Sequence, residues 1–509
     1  MRTVIFFVLM LFCIGLLTGA TPLDQAEREL RIALEADPAT LDPQRAVAIA
    51  DGRIIAELFE GLLTRGPDGK PIPGVAERWG VDADRVTWRF YLRPDAKWAD
   101  GSAVTAADFV AGWQRAFEPG AFGAEPLAAI AHENGRPAVR ADGAHQLVVR
   151  LSRPVPDFPA GLVDRVTFPV QHLAAAAGRL DFARPGGFVG NGPYQLAERQ
   201  PLSHLRLTRN PHFHAARSVA INAVRVVIVP DDRTDYRLFR AGELDISGLL
   251  SGTVAAQAAE SDPAALHRSA RDATVIIAFN LRREPWASDL ALRRALSLAI
   301  DRQLLTQTVT RGGEVPAQRL VPPGFGLPTA TPRWSGGEPR EAARRALAAA
   351  QPPATLTLLH GTDAATRSQA VAIADFWKQG LGLPTELEAQ ELTALIRRFR
   401  ADDHPAMIYL SLQRDQAADF LHQLAMPPAD GGIGFTDAAF LEHLERAGRA
   451  ASAADQARHL AAAEAIALDR AVVIPVYHPA ARRLISPSVT GWADNPGEHH
   501  PLRFLAFAR

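Results

Sequence analysis

Between residues 355 and 387 the sequence places a strand, a helix and a second strand in direct succession, and this order restricts the fold more than any other stretch. Residues 355–359 read as a strand, 366–379 as a helix stopped by Gly380, and 383–387 as a strand again. A strand that returns to its sheet through a crossover helix lies parallel to the first. The pattern therefore predicts a parallel pair within a mixed sheet.

The rest of the chain keeps alternating in type. Residues 85–92 carry Val86, Trp88, Phe90 and Leu92 at period two, the signature of a half-buried strand. After the turn Asp100-Gly101, the Thr105 hydroxyl is expected to cap a helix with Asp108 in its first turn, burying Phe109, Val110, Trp113 and Phe117. Asp142-Gly143 splits 139–151 into a hairpin. Residues 222–230 form a β-branched run suited to a buried strand, followed by a short helix at 235–241. A further strand is expected at 274–279 and a helix capped by Ser288, then helices at 437–448 and 454–469 and a strand at 471–477. No period of 20–50 residues recurs, so the class is mixed α/β and not a repeat solenoid.

With 509 residues, 47% of them hydrophobic and 22% charged, the chain has apolar mass for roughly two to four domains and is not disordered. Lys plus Arg number 55 against 56 Asp plus Glu, so nothing in the charge draws the chain to nucleic acid or an anionic membrane surface.

The amino terminus addresses the compartment. Met1-Arg2-Thr3 gives a positive start, 4–17 is an apolar run, and Thr18-Gly19-Ala20 puts small residues at a cleavage point. Residues 1–20 thus read as a cleavable secretory signal. The alternative, an uncleaved anchor, is disfavoured because 4–17 falls short of the roughly 20 residues that span a bilayer. The single cysteine, Cys13, lies inside the apolar run behind Phe12, a poor site for lipid attachment, so no lipoprotein is expected. The mature chain then has no thiol, which excludes disulfides, cysteine catalysis and Cys-zinc sites.

Signatures of the main enzyme classes are absent: there is no G-x-S-x-G, H-E-x-x-H, G-x-x-x-x-G-K-[ST] or strand-borne G-x-G-x-x-G. His212-Phe213-His214 and His499-His500 lack the neighbouring ligands of a metal site and are expected to be solvated loop histidines. No cofactor, metal or enzymatic activity is expected. A triad assembled from distant positions, as in an exported hydrolase, stays open as the rival class.

A series of blocks carries a resemblance. L-D-P-Q at 41–44, L-F-E-G-L-L at 58–63, P-G-V-A-E-R-W at 73–79 and K-W-A-D-G-S-A-V-T-A-A-D-F-V at 97–110 come first. N-G-P-Y at 191–194, A-G-E-L-D-I at 241–246, R-R-A-L-S-L-A-I-D-R at 293–302 and I-P-V-Y at 474–477 follow in the same order. Together they resemble the extracytoplasmic oligopeptide-binding proteins of ABC importers, over nearly the whole mature chain. The resemblance implies a two-lobed periplasmic-binding-protein fold with mixed sheets and an extra α+β subdomain on the first lobe. Its boundaries would be 21–55, 166–270 and 478–509 for the first lobe, 56–165 for the subdomain and 271–477 for the second lobe, with hinge crossings near Arg271 and Tyr477.

The same resemblance implies a periplasmic, monomeric receptor that captures a peptide or peptide-like ligand and passes it to permease subunits in the inner membrane. Main-chain pairing with the ligand would fall on Val47, Ala48 and Ile49, which are equally plausible as core residues. The family's W-x-x-D pattern, whose acid meets the ligand amine, falls on Leu410, Ser411, Leu412 and Gln413, so both signature residues are replaced; Asp415 is the nearest acid. At the carboxylate end Arg398 stands where the family has an arginine, and Arg367 lies beside Thr366, which replaces a family histidine. The missing Trp and Asp leave room for a non-peptide cargo such as an opine, a sugar or a nickel chelate.

Overall fold

Leu30–Leu34 (β1) begins the first sheet with Leu30, Ala33 and Leu34 turned into the core. The structure, a computed structural model, describes residues 28–508 apart from 122, 156, 183, 329–337, 402, 404–406, 415, 431, 451 and 497–498. The segment read as a secretory signal lies outside the described residues, as does Asp415. After β1 comes α1 (Ile49–Leu58), which buries Ile54, Ile55 and Leu58.

The chain then leaves the first sheet to build a four-stranded antiparallel one from β2 (Ala76–Val81), β3 (Thr87–Leu92), β4 (Val139–Ala141) and β5 (Gln146–Arg150), in the order β2-β3-β5-β4. Trp88, Phe90 and Leu92 are buried and their alternates are not, as the pleat requires. The β4–β5 turn passes through Gly143 at φ +76°, a left-handed conformation that glycine adopts without strain. Helix α2 (Ala106–Arg115) covers this sheet with Phe109 and Trp113. Thr105 is its N-cap and Asp108 stands in its first turn, as expected. The Thr105 hydroxyl donates to Asp108 Oδ2 (3.1 Å), and the Asp108 carboxylate does the tying, accepting from the Thr105 amide (2.8 Å), the Trp98 indole (3.3 Å) and the His172 amide (2.8 Å).

Returning, β6 (Tyr194–Gln200), β7 (His204–Arg209) and β8 (Ala223–Ile228) complete the first sheet in the order β1-β8-β7-β6, with β8 parallel to β1. After α3 (Asp232–Arg240) and α4 (Gly252–Ser261), β9 (Leu266–Ala270) leads into β10 (Ala273–Phe279) of the second lobe.

Every residue of β10 is buried, because helices cover both faces of its sheet: Ile276 and Ala278 enter one core, Val275, Ile277 and Phe279 the other. Helix α5 (Leu290–Ala299) is capped by Asp289, whose Oδ1 accepts from the Leu292 amide (2.8 Å), while Ser288 donates to Glu284 (2.5 Å); the cap expected at Ser288 is one residue early. Past β11 (Val315–Pro316), the crossover unit is β12 (Leu356–Gly361), α6 (Ala364–Leu381) and β13 (Thr385–Gln390), with β12 and β13 parallel. The helix runs through Gly380 and stops at Gly382, which has φ +72°. Helix α7 (Leu392–Arg400), β14 (Met407–Gln413) and helices α8 (Ala417–Ala425), α9 (Ala438–Gly448) and α10 (Ala453–Asp469) follow. β15 (Val473–His478) closes a six-stranded sheet ordered β11-β15-β10-β14-β12-β13 and runs into β16 (Ala480–Leu484).

Two chain crossings join the sheets. β9 pairs antiparallel with β16 and β10 with β15, and the Arg271 amide donates to the Pro479 carbonyl (2.9 Å) between the two pairs. No helix among the described residues is long and apolar enough to cross a membrane.

The loop histidines depart from expectation. His214 Nε2 lies 2.7 Å from Glu60 and His499 Nε2 2.9 Å from Glu57, and the His500 ring stacks on Trp492 at 4.0 Å, its pKa pushed down to about 3 chiefly by burial. His214 and His499 thus tie the 210–214 loop and the C-terminal segment to Glu60 and Glu57 at the end of α1, while His500 packs within the C-terminal segment; only His212 is exposed as expected.

Candidate ligand cleft

A cavity of about 1510 Å³ lies between the lobes. That exceeds the about 300–1,000 Å³ typical of small-molecule pockets. The chain before Arg271 contributes Ile49, Asp157, Asp164, Arg165 and Asp232; the chain between the two crossings contributes one face of α6, apolar residues of α7, α9 and α10, and the strand β14; Arg271, Tyr477 and Arg482 come from the crossings.

Strand β14 shapes the second wall. On one side it pairs with β10 along its full length, from Met407 opposite Phe279 to Gln413 opposite Ala273. On the other it pairs with β12 only at Met407 and Ile408. Among the described residues no strand pairs with that edge from Tyr409 to Gln413. The Arg414 amide donates to the Asp272 carbonyl, which fixes the phase of the antiparallel ladder: even-numbered residues point their backbone groups at β10. The N–H and C=O groups of Tyr409, Ser411 and Gln413 therefore point to the open edge, with Tyr409, Leu410, Ser411 and Leu412 lining the cavity.

The expected site residues separate into those the fold brings to the cleft and those it does not. Leu410 and Ser411 line it, and Gln413 ends the same strand. Val47, Ala48 and Ile49 are exposed, which removes the reading of them as core, but only Ile49 lines the cavity. The Val47 and Ala48 amides already donate to Asp51 Oδ2 (3.3 and 3.2 Å), so they are not spare donors for a ligand. Arg398 is turned away: Nη1 binds Glu388 (2.6 Å) and Nε the Asp403 carbonyl (2.9 Å), while Leu395, Ile396 and Phe399 of the same helix reach the cavity. On α6 the cleft face is Asp363, Thr366 and Gln369, and Arg367 projects into solvent.

The cations at the cleft are ones the motifs did not mark, among them Arg153, Arg165, Arg233, Arg271 and Arg482. Arg482 binds Glu314 (2.7 Å) with both side chains largely buried, and Arg165 donates to the Ala46 carbonyl. These positions have no sequence signal of their own, since an arginine before a turn or in an edge strand is ordinarily solvated. His422 also lines the cavity; burial first, then Arg153, lowers its pKa, which keeps the ring neutral. Among the described residues no serine or threonine hydroxyl hydrogen-bonds His422, and no group of three or more metal-ligating side chains occurs. The Ser203–His204 contact (3.0 Å) sits on an exposed hairpin away from the cleft.

The profile of the bacterial extracellular solute-binding proteins, family 5 Middle, matches residues 70–426. The chain is 31% identical to the periplasmic murein peptide-binding protein MppA of Escherichia coli (strain K12), covering 93% of this chain and 91% of that one. It is 30% identical to the probable deoxycholate-binding periplasmic protein YgiS of the same organism, over 94% and 93% of the two chains. The crystal structure of Haemophilus influenzae OppA in complex with the peptide RPPGFSPFR superposes with a TM-score of 0.81 at 25% identity, covering 95% of this chain and all of the other. With a two-lobed fold, a cleft between the lobes and a match over most of its length, this chain belongs to the bacterial extracellular solute-binding proteins of family 5.

Proposed function

We propose that the chain captures an extended peptide in the interlobe cleft and delivers it, chemically unchanged, to the permease subunits of an ABC importer. The observation that carries this is the open edge of β14 at Tyr409–Gln413 facing a cavity of about 1510 Å³. A peptide added as a strand there is held through main-chain hydrogen bonds, which makes affinity indifferent to side-chain identity. The murein peptide named for MppA and the bound peptide in the OppA complex support the same reading. The receptor works as a monomer in the periplasm after removal of residues 1–20. Its first lobe comprises 21–55, 166–270 and 478–509, its subdomain 56–165 and its second lobe 271–477, with closure about the crossings at Arg271 and Pro479.

A second cargo class has a specific observation behind it. Leu410 and Gln413 stand where the family carries the Trp and Asp of its amine site, Leu395, Phe399, Leu412, Leu444 and Leu460 also face the cavity, and a relative of 30% identity is named for deoxycholate. An apolar guest without a free amine would use that wall.

Native mass spectrometry of the exported protein separates the two. Retained mass spread over a mixture of short peptides is the expected result; a single non-peptide mass replaces peptide by the apolar guest. Conversion of the retained species into new products would overturn capture altogether.

A further inference from the structure

Gln369 stands on the cleft face of α6 with only 8% of its surface exposed. Two phenols converge on its Oε1, Tyr409 from β14 at 2.6 Å and Tyr477 from β15 at 3.0 Å. A 2.6 Å separation belongs to an O–H···O bond, since N–H···O contacts centre near about 2.9 Å. The oxygen is therefore the atom held between the rings, and Nε2 is turned the other way. Desolvation drives both phenol pKa values up, Tyr477 to about 12, so both hydroxyls keep their protons and donate. With both lone pairs of Oε1 taken, the side chain cannot rotate without breaking two bonds.

The amide nitrogen has a different situation. Among the described residues none accepts from Nε2, and the atom is not sealed from the cavity. A polar group this buried ordinarily has a partner. Tyr409 begins the open edge of β14, so a guest laid along that edge passes Gln369. We infer that Gln369 is a ligand-binding residue whose Nε2 donates to an uncharged acceptor of the guest, an amide carbonyl. The inference rests on the peptide reading of the cleft.

The local charges select against a carboxylate. Arg482 is already matched by Glu314, and Asp363, which caps α6, is a second nearby anion. An anion placed at Nε2 would lose its water without gaining a countercharge, whereas a neutral carbonyl needs only the one donor.

Isothermal titration of wild type, Q369E and Q369M with trialanine and with trialaninamide tests this. The glutamate still accepts from both phenols but presents an acceptor to the cleft; the methionine presents neither. We expect both variants to fold but to melt below wild type without ligand, Q369M because it leaves two buried phenols without an acceptor and Q369E because it buries a carboxyl near Glu314 and Asp363, and both to bind both peptides about tenfold or more weakly at a temperature where they are folded. Binding by both variants within about twofold of wild type overturns the assignment, as does a loss confined to trialanine, which would mean that the site reads a carboxylate. Wild-type protein that binds neither peptide overturns the peptide reading and this assignment with it.

Discussion

Asp235 holds its carboxyl in surroundings that favour the acid form. One oxygen accepts from the Gly248 amide (2.6 Å), the other is buried without a partner, and desolvation outweighs the attraction of Arg483 to push the pKa up to about 7. The same group titrates near 3.8 in the unfolded chain. Between those values the native state binds the extra proton, so stability falls as pH rises from about 4 to about 7. Asp235→Asn removes the charge and is expected to leave stability nearly unchanged at pH 4 and to raise it by about 2–4 kcal/mol at pH 8. Urea midpoints of both proteins at the two pH values check this; a gap that does not widen with pH refutes it. Single positions of this kind were the least legible part of the sequence. Motif matching brought Arg398 and Arg367 to the right helices, but neighbouring positions on a helix are rotated by about 100°. That rotation puts Phe399 and Thr366 in the cleft and both arginines outside it. The cleft arginines and Gln369 were invisible for a related reason: their roles depend on partners such as Glu314, Tyr409 and Tyr477 that come from other elements.

Local elements were far more legible than their ends. The β4–β5 hairpin, the alternation of β3 and the parallel crossover β12-α6-β13 all follow from patterns contained in a dozen or so neighbouring residues, and the structure has them. The cap at Thr105 was legible, whereas helix ends were misplaced at Ser288 and Gly380, by one and two residues, because an end is decided among near-equal neighbours. The open edge of β14 could not be read at all, since it depends on where β12, some fifty residues earlier, stops pairing. One cap bears on the cleft. Asp51, in the first turn of α1, accepts from the amides of Val47 and Ala48 and from that of Ala39 (2.8 Å), fixing the 39–48 segment beneath Ile49. Asp51→Ala leaves three amides seeking water and removes an acid from a helix amino terminus, so a loss of about 1–3 kcal/mol is expected in urea unfolding. Asp51→Asn, which keeps an acceptor, is expected to recover about half. Equal losses in the two variants would show that charge alone matters and the tether does not.

Closure of the two lobes links these local features to affinity. The hinge strands are short and cross side by side. Contacts far from the axis carry more leverage, and two hydrogen bonds bridge the rim: Arg85 Nη2 to the Ala450 carbonyl (2.8 Å) and Gln456 Nε2 to Asp157 Oδ1 (3.2 Å). Neither donor is part of the open edge or of the Gln369 cluster; Arg85 lies outside the cavity, while Gln456 and Asp157 line it. Each bond is worth about 0.5–1.5 kcal/mol net, so Arg85→Ala with Gln456→Ala shifts the closing equilibrium by about 5- to 150-fold. Apparent affinity scales with the fraction of molecules competent to bind, and within one interface such changes fall mainly on dissociation. The double variant should therefore release a bound peptide about tenfold or more faster in stopped-flow measurements, with little change in the association rate and an unchanged melting temperature in the free form. Dissociation at the wild-type rate would mean that the rim bonds do not hold the closed state, and that the cleft walls themselves, gripping the guest along β14, supply all of the closing force.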